Sequence, residues 1–260
     1  MVQPQVFVDD NHPKHVCKLH KSIYGLKQAP RQWFHTLTAC LQSLGFIFRK
    51  SDHSLLVYKT SDTQIYILLY VDDILISGNN KSKISDLISQ LQSKFSLKDL
   101  GPISFFLGIQ VLHSPHGYFL SQSQYARDLI QAAGLDSCKP SQSPVAVKPT
   151  LTSNNFLKSD PIQYRKLAGS LQYLTITRPD IAYATNIICQ QMHNPMQQHF
   201  NALKRLLRYI QGTLNFGLPI TRGTLQLHSY SDSDWAVDTL DRKSISGFCT
   251  FLGNSLISWN

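Results

Sequence analysis

Two pairs of adjacent aspartates are the first residues here that could do chemistry, in Val8-Asp9-Asp10 and in Val71-Asp72-Asp73. The first lies in a polar stretch, VFVDDNHPKH, and reads as a solvated loop. The second interrupts two β-rich runs, YILLY and ILIS, which read as buried strands joined by a tight acidic turn. Two unneutralised carboxylates between such strands would repel each other and lose hydration, at a cost on the order of several kcal/mol. Relief comes from an exposed turn or from a cation, and clustered carboxylate oxygens suit a hard ion such as Mg²⁺.

All 16 acidic residues are aspartate and none is glutamate, where roughly a dozen or more glutamates are usual for a chain of this size. That excludes an HExxH metalloprotease, an EF-hand loop closed by Glu, and any Glu general base. Acid, base or metal chemistry must come from Asp, His, Cys or Tyr. There is no GxGxxG, P-loop, nucleophile elbow or paired Cys/His site, which disfavours a small-molecule enzyme. Cys17, Cys40, Cys138, Cys189 and Cys249 are scattered and never spaced as CxxC, as expected of buried thiols in a reducing, intracellular compartment. His12/His15 and His113/His116 share a spacing, but sit in Pro-containing loops and read as exposed.

The balance of 25 Lys+Arg against 16 Asp gives a net charge of +9, which favours a polyanionic partner. The first twenty residues are polar and do not read as a signal peptide; the most apolar run, Tyr66 to Ile76, is too short to span a bilayer. No membrane association is expected.

The elements that must position these residues follow from periodicity. Gln28 to Leu44 spaces Trp33, Phe34, Leu37, Leu41 and Leu44 as a helix does, with Gly45 as its stop. A second helix is expected over Lys83–Phe95, then a turn at Asp99-Leu100-Gly101-Pro102. FFLGIQVL and GYFLSQ flank Ser114-Pro115-His116-Gly117 as a further hairpin. Residues 138–161 carry four prolines among Ser, Thr and Asn and read as an extended linker. Helices are expected near 162–175, 180–192 and 197–211, and strands from about Leu225. In the last helix Phe200, Leu203, Leu206, Leu207 and Ile210 form an apolar stripe, with Lys204, Arg205 and Arg208 gathered opposite.

Tyr70-Val71-Asp72-Asp73 between hydrophobic strands resembles the YxDD motif of reverse transcriptases. Around it lie Tyr24-Gly25-Leu26-Lys27-Gln28-Ala29-Pro30-Arg31, Asp99-Leu100-Gly101 with Phe106-Leu107-Gly108-Ile109, Arg178-Pro179-Asp180-Ile181 and Ser231-Asp232-Ser233-Asp234-Trp235-Ala236. In order and approximate spacing these resemble the copia-type retrotransposon polyprotein over essentially the whole chain. The resemblance implies an α+β protein: a partial right-hand polymerase palm of antiparallel sheet with helices, a helical thumb or connection, and the start of a ribonuclease H-like sheet. It places the palm-like region at 1–137, the linker at 138–161, the thumb/connection-like region at 162–224 and the ribonuclease H-like segment at 225–260.

The resemblance also implies roles. Asp72 and Asp73 would be the catalytic pair holding Mg²⁺ at the primer 3′ end, and Tyr70 would line the cleft near the nucleotide. Gln28 would contact nucleotide or template, with Lys27 and Arg31 reaching phosphates; their alternative is an ordinary basic helix start with Pro in its first turn. Phe106, Leu107 and Gly108 resemble the hairpin that grips the primer, and equally suit a buried strand in which Gly permits close approach. Lys204, Arg205 and Arg208 would meet the backbone of an RNA template, a DNA primer or their hybrid, or form a solvated face. Asp232 takes the first metal position of a ribonuclease H module, with Asp234 on the same strand face.

Three departures from the family pattern qualify the expected activity. A reverse-transcriptase palm uses a third carboxylate on a strand before Tyr24, where this chain has only Asp9 and Asp10 in a polar loop. The ribonuclease H module uses a Glu that is absent. Val6 and Val237 stand where the family usually has Gly, a strained choice if either needs a left-handed backbone. The expectation is therefore a reverse transcriptase domain that does not polymerise on its own, the alternatives being a non-catalytic nucleic-acid-binding remnant or a pseudogene product. Residues 225–260 are expected to be weakly stable unless they pack on the preceding helices.

Overall fold

The computed structural model describes every residue except Ser22, Tyr24, 147–159 and 234–243. Lys148-Pro149, Asp234 and Val237 thus lie outside the described residues. The chain forms two compact units, Met1–Gly101 and Pro102–Asn260, each mixing helices with antiparallel sheet. Among the described residues no helix is long and apolar enough to cross a membrane.

In the first unit, helix α1 (Ala29–Ser43) is followed by strands β1 (Ile47–Phe48), β2 (Leu55–Lys59), β3 (Gln64–Tyr70) and β4 (Asp73–Gly78), then by helix α2 (Lys81–Lys94). Pro30 enters α1 in its first turn, where its missing N–H costs nothing. Asn80 caps α2 by accepting from the Lys83 N–H at 3.1 Å. The strands form an antiparallel meander in chain order. Leu37 and Leu41 of α1, Leu87 and Leu91 of α2, and Ile65, Ile67 and Leu69 of β3 close one core. Strand alternation then turns Gln64, Tyr66 and Tyr70 to the opposite face. Tyr66 is 40 % exposed and Tyr70 54 %. β3 is thus fully buried on one face only, while the other is partly covered toward β2, where Val57 beside Tyr66 is 5 % exposed, and opens toward the hairpin tip at Tyr70. Val6 lies in a 3-10 turn, Gln5–Phe7, and does not occupy the left-handed region, so Val is unstrained there.

In the second unit, β5 (Phe105–Phe106), β6 (Ile109–Ser114) and β7 (Gly117–Ser121) pair in succession. Helices α3 (Ser123–Ala132), α4 (Pro161–Leu174), α5 (Ala182–Gln190) and α6 (Gln197–Gly212) follow, then β8 (Leu218–Thr221). β8 returns to pair with β7, and α3 packs on α4 and α6. For that reason residues 102–137, which the sequence groups with the first block, are built into the second compact unit. Phe200, Leu203, Leu206, Leu207 and Ile210 of α6 are all buried, at the spacing the sequence predicts. Not all of the Pro-rich segment is free: the Ser141 N–H donates to the Arg208 carbonyl and Arg208 Nε to the Lys139 carbonyl, fastening 138–143 to α6.

Beside the helical core a buried arginine pairs with a half-buried aspartate. Arg178, 2 % exposed, donates from Nε and Nη2 to the two Asp180 oxygens at 2.8 and 2.7 Å. It also donates to the carbonyl and hydroxyl of Thr213 at the end of α6, while the Tyr209 hydroxyl donates to Asp180. Burial pushes the Asp180 carboxyl up, but the Arg178 hydrogen bonds and charge, with the Tyr209 hydroxyl, outweigh it and hold the group below its ordinary value. These links explain Arg178-Pro179-Asp180-Ile181 as a staple between α5 and α6.

Strands β9 (Leu227–Ser233), β10 (Ser246–Leu252) and β11 (Ser255–Trp259) form a separate sheet with β10 in the centre. Buried Ser255 bonds the Thr221 backbone and so fixes this sheet to β8, yet β9 is exposed along its whole length.

Two outcomes are expected. Asp180→Asn leaves Arg178 buried without its counter-charge and lowers stability by about 3 kcal/mol at neutral pH, measured by chemical denaturation. Because the folded-state carboxyl is depressed, its contribution is full above the unfolded value near 4 and fades as pH falls through the folded value. The gap between wild type and variant should therefore narrow on acidification; a constant gap would refute the pairing. By hydrogen exchange, β9 amides should exchange far faster than those of β10, and uniform protection across 227–233 would contradict the exposed-edge description.

Candidate functional site

The acidic hairpin is built by register. Tyr70 pairs with Asp73, leaving Val71-Asp72 as a two-residue turn. Val71 takes φ 51°, left-handed, as a tight hairpin of right-twisted strands requires at its first central residue. Glycine is the usual choice there, and a β-branched side chain is strained. The Trp33 indole N–H donates to the Val71 carbonyl at 3.0 Å. Trp33 also packs edge-on against Phe95, with centroids 5.4 Å apart. Sequence reasoning counted Trp33 only as part of an apolar stripe; the available signal was that a largely buried indole usually finds an acceptor.

Tyr70 and Asp73 stand side by side on the open face of the sheet, and Asp72 occupies the second turn position. Both carboxylates are exposed, and among the described residues neither has a Lys, Arg or His within ion-pair distance. Among the described residues no group of three His, Cys or Asp side chains gathers, so Asp72 and Asp73 form a pair without a third ligand. Hard oxygen donors, exposed and unpaired, fit a Mg²⁺ ion that retains most of its waters.

The start of α1 adds positive potential to the same unit. Gln28 is its N-cap residue and makes no side-chain capping bond, and no acid lies in the first turn. The Ala29 N–H is taken by the Leu26 carbonyl and Pro30 has none, so it is the helix dipole and the neighbouring basic side chains that favour an anion there. Lys21, Lys27, Gln28 and Gln32 line a shallow, open cleft there. Arg31 is exposed on the first turn and Trp33 follows half a turn later, so the helix that carries Arg31, just after Lys27, also touches the acidic hairpin. Tyr24 lies outside the described residues.

The remaining sequence-derived residues belong to the second unit. Phe106 and Ile109 pair across a two-residue turn in which Leu107 and Gly108 are both left-handed, at φ 48° and 75°. The Tyr173 hydroxyl of α4 donates to the Leu107 carbonyl. A Cβ on Gly108 would meet that hydroxyl at 2.5 Å, so glycine is required both by conformation and by close approach. Lys204 is exposed on α6. Arg205 donates to the Ser143 hydroxyl at 2.6 Å and Arg208 to Lys139, so these two guanidinium groups hold the 138–143 segment. That task is invisible to local patterning, because the acceptors lie more than sixty residues away. Asp232, exposed on β9, lines a small cleft with Tyr183 and Asn186 of α5. The five cysteines are free, and burial pushes the Cys189 thiol up, away from reactivity.

The sequence profile of the reverse transcriptase (RNA-dependent DNA polymerase) family matches residues 1–147. Over its whole length the chain is 46 % identical to the retrovirus-related Pol polyprotein from transposon RE2 of Arabidopsis thaliana, covering 18 % of that protein. It is 34 % identical, again end to end, to the Pol polyprotein from transposon TNT 1-94 of Nicotiana tabacum, covering 20 % of it. An uncharacterized mitochondrial protein of Arabidopsis thaliana is 49 % identical over 75 % of this chain and 82 % of its own length. The chain thus spans about a fifth of the Pol polyproteins it matches. No solved structure matches it. With the profile covering more than half of its residues and the Pol relatives all of them, the chain belongs to the reverse transcriptase family, in the copia-type retrotransposon branch.

Proposed function

We propose that this chain binds a template–primer and holds Mg²⁺ on Asp72 and Asp73, as the hairpin-bearing part of an RNA-directed DNA polymerase. The observation that carries the reading is the pair of exposed carboxylates, without a neighbouring cation among the described residues, at a strained turn on an open sheet face. Bound there, the ion supplies activation of the primer 3′-hydroxyl and stabilisation of the leaving pyrophosphate. Asp72 is the principal ligand and Asp73 its partner, while Tyr70, beside Asp73 on the same face, lines the nucleotide position. Lys27 and Arg31 reach phosphates at the start of α1, and Gln28 hydrogen-bonds nucleotide or template.

On this reading residues 1–137 are palm-like, 138–161 the linker, 162–224 thumb- or connection-like and 225–260 ribonuclease H-like. Phe106, Leu107 and Gly108 contact the primer, and Asp232 belongs to a second metal site. Lys204 meets the nucleic-acid backbone directly, whereas Arg205 and Arg208 do so only with whatever capacity the 138–143 segment leaves them. Two carboxylates are fewer than the three of a reverse-transcriptase palm, so the 260-residue chain should bind template–primer without extending it robustly.

Mn²⁺, a paramagnetic substitute for Mg²⁺, should broaden the NMR signals of residues 70–73 selectively. Asp72→Asn should weaken that response at least tenfold, in line with loss of a ligand. A wild-type response spread evenly over all aspartates would sink the metal assignment. In a primer-extension assay with an RNA template and Mg²⁺, little or no product is expected; robust extension abolished by Asp72→Asn would show that two carboxylates of this chain suffice.

A further inference from the structure

The acidic hairpin is held in a shape its own sequence disfavours. Val71 lies at φ 51°, and its exposed side chain makes no compensating core contact, being 63 % accessible. Left alone, a Val-Asp turn would move to a right-handed or extended backbone and carry Asp72 and Asp73 with it. The Val71 carbonyl accepts from the Trp33 indole at 3.0 Å. Trp33 is fixed in turn by α1, whose Leu37 and Leu41 are 2 % and 0 % exposed, and by the edge-on contact with Phe95. Its ring therefore presents the N–H from a rigid support.

A second turn in the chain is built the same way. Among the described residues only Val71 and Leu107 are non-glycine residues with left-handed backbone. Each has its carbonyl bound by an aromatic donor from a helix, Trp33 of α1 for Val71 and Tyr173 of α4 for Leu107. The recurrence ties the donor to the strained conformation rather than to general packing.

We propose that Trp33 is a positioning residue: its indole N–H holds Val71 left-handed and thereby sets where Asp72 and Asp73 present their oxygens, and it links that setting to the helix that begins just after Lys27 and Gln28 and carries Arg31 in its first turn. The consequence for metal affinity rests on the proposed Mg²⁺ role of the pair; the conformational claim does not. Phenylalanine at 33 keeps most of the ring contact and removes only the donor. Glycine at 71 adopts φ near 50° without strain and needs no donor. The two substitutions together separate a conformational clamp from simple packing.

The test is NMR on the whole chain. In wild type the Trp33 indole proton should be slow to exchange and Val71 should show left-handed backbone shifts. Trp33→Phe should move the backbone signals of 70–73 while Leu41 and Ile67 stay in place. Adding Val71→Gly to Trp33→Phe should return the Asp72 and Asp73 signals to their wild-type positions, and Val71→Gly alone should leave them there. Left-handed shifts at Val71 in Trp33→Phe, or a double variant no closer to wild type than Trp33→Phe, would overturn the proposal. In a parallel Mn²⁺ titration Trp33→Phe should lose about tenfold in affinity, as loss of an outer-shell support does, and the double variant should regain most of it. If wild type itself gives no selective Mn²⁺ response, the metal reading of Asp72 and Asp73 fails, while the backbone signals still decide the role of Trp33.

Discussion

The first unit works around a sheet whose helical cover lies on one face and whose other face is exposed at the hairpin tip. Helices α1 and α2 both pack on the side of Ile65, Ile67 and Leu69, so the alternation of β3 sends Tyr66 and Tyr70 to the other side, which buries Val57 beside Tyr66 but leaves the hairpin end at Tyr70 exposed. That asymmetry is what lets two adjacent carboxylates exist at the end of an apolar hairpin. With helices on both faces, Asp72 and Asp73 would lose hydration and require buried counter-ions, and the chain's acidic side chains elsewhere show what that demands. Asp180, half-buried, takes a two-point bond from Arg178, a hydroxyl from Tyr209 and the whole staple around Thr213. Asp72 and Asp73 need none of this because water reaches them, and the same access is what a hydrated divalent ion or a nucleic acid would use.

Elements set by periodicity were legible from sequence. The apolar spacing of α6 predicts its buried face residue for residue, that of α1 predicts buried Leu37 and Leu41 and half-buried Trp33, Phe34 and Leu44 but not buried Thr38, and the tight turn at Val71-Asp72 follows from the break between two β-rich runs. What stayed hidden depends on contacts across long sequence separations. Nothing in a stretch of Pro and Ser announces that Ser143 will meet Arg205, or that the Lys139 carbonyl will meet Arg208. β8, four residues long, has no pattern of its own and is a strand because β7 offers it an edge. Trp33 was hidden differently: its ring fits an apolar stripe so well that its one polar atom escapes a reading based on hydrophobicity.

The missing glutamates bear on both candidate metal sites. With only aspartate available, each carboxylate sits one methylene closer to the backbone than a glutamate would, so its position is fixed more tightly by the local turn or strand. For Asp72 this makes backbone conformation at Val71 decisive, since a short side chain cannot swing to compensate for a displaced turn. For Asp232, on a strand exposed along its length and paired only to β10 among the described residues, the backbone itself is less firmly held. The two sites thus differ in how well their supporting elements can define a ligand position, quite apart from how many ligands each contains.

The left-handed residues Val71 and Leu107 carry that point further. A residue outside its preferred backbone region costs about 1–3 kcal/mol and persists only where surrounding structure over-determines it. Both turns could have been relaxed by glycine at the strained position, as Gly108 shows at the very next residue. Instead each keeps a bulky apolar side chain on the turn and recovers part of the cost through an aromatic donor to its carbonyl. Packing does not account for Val71, whose side chain is largely exposed. A side chain held out into solvent at the price of backbone strain is better placed to touch something that is not part of the chain. On the proposed template–primer reading, that something would be the end of a primer or the sugar of an incoming nucleotide, and the strained turn is the part of this fold that would meet it first.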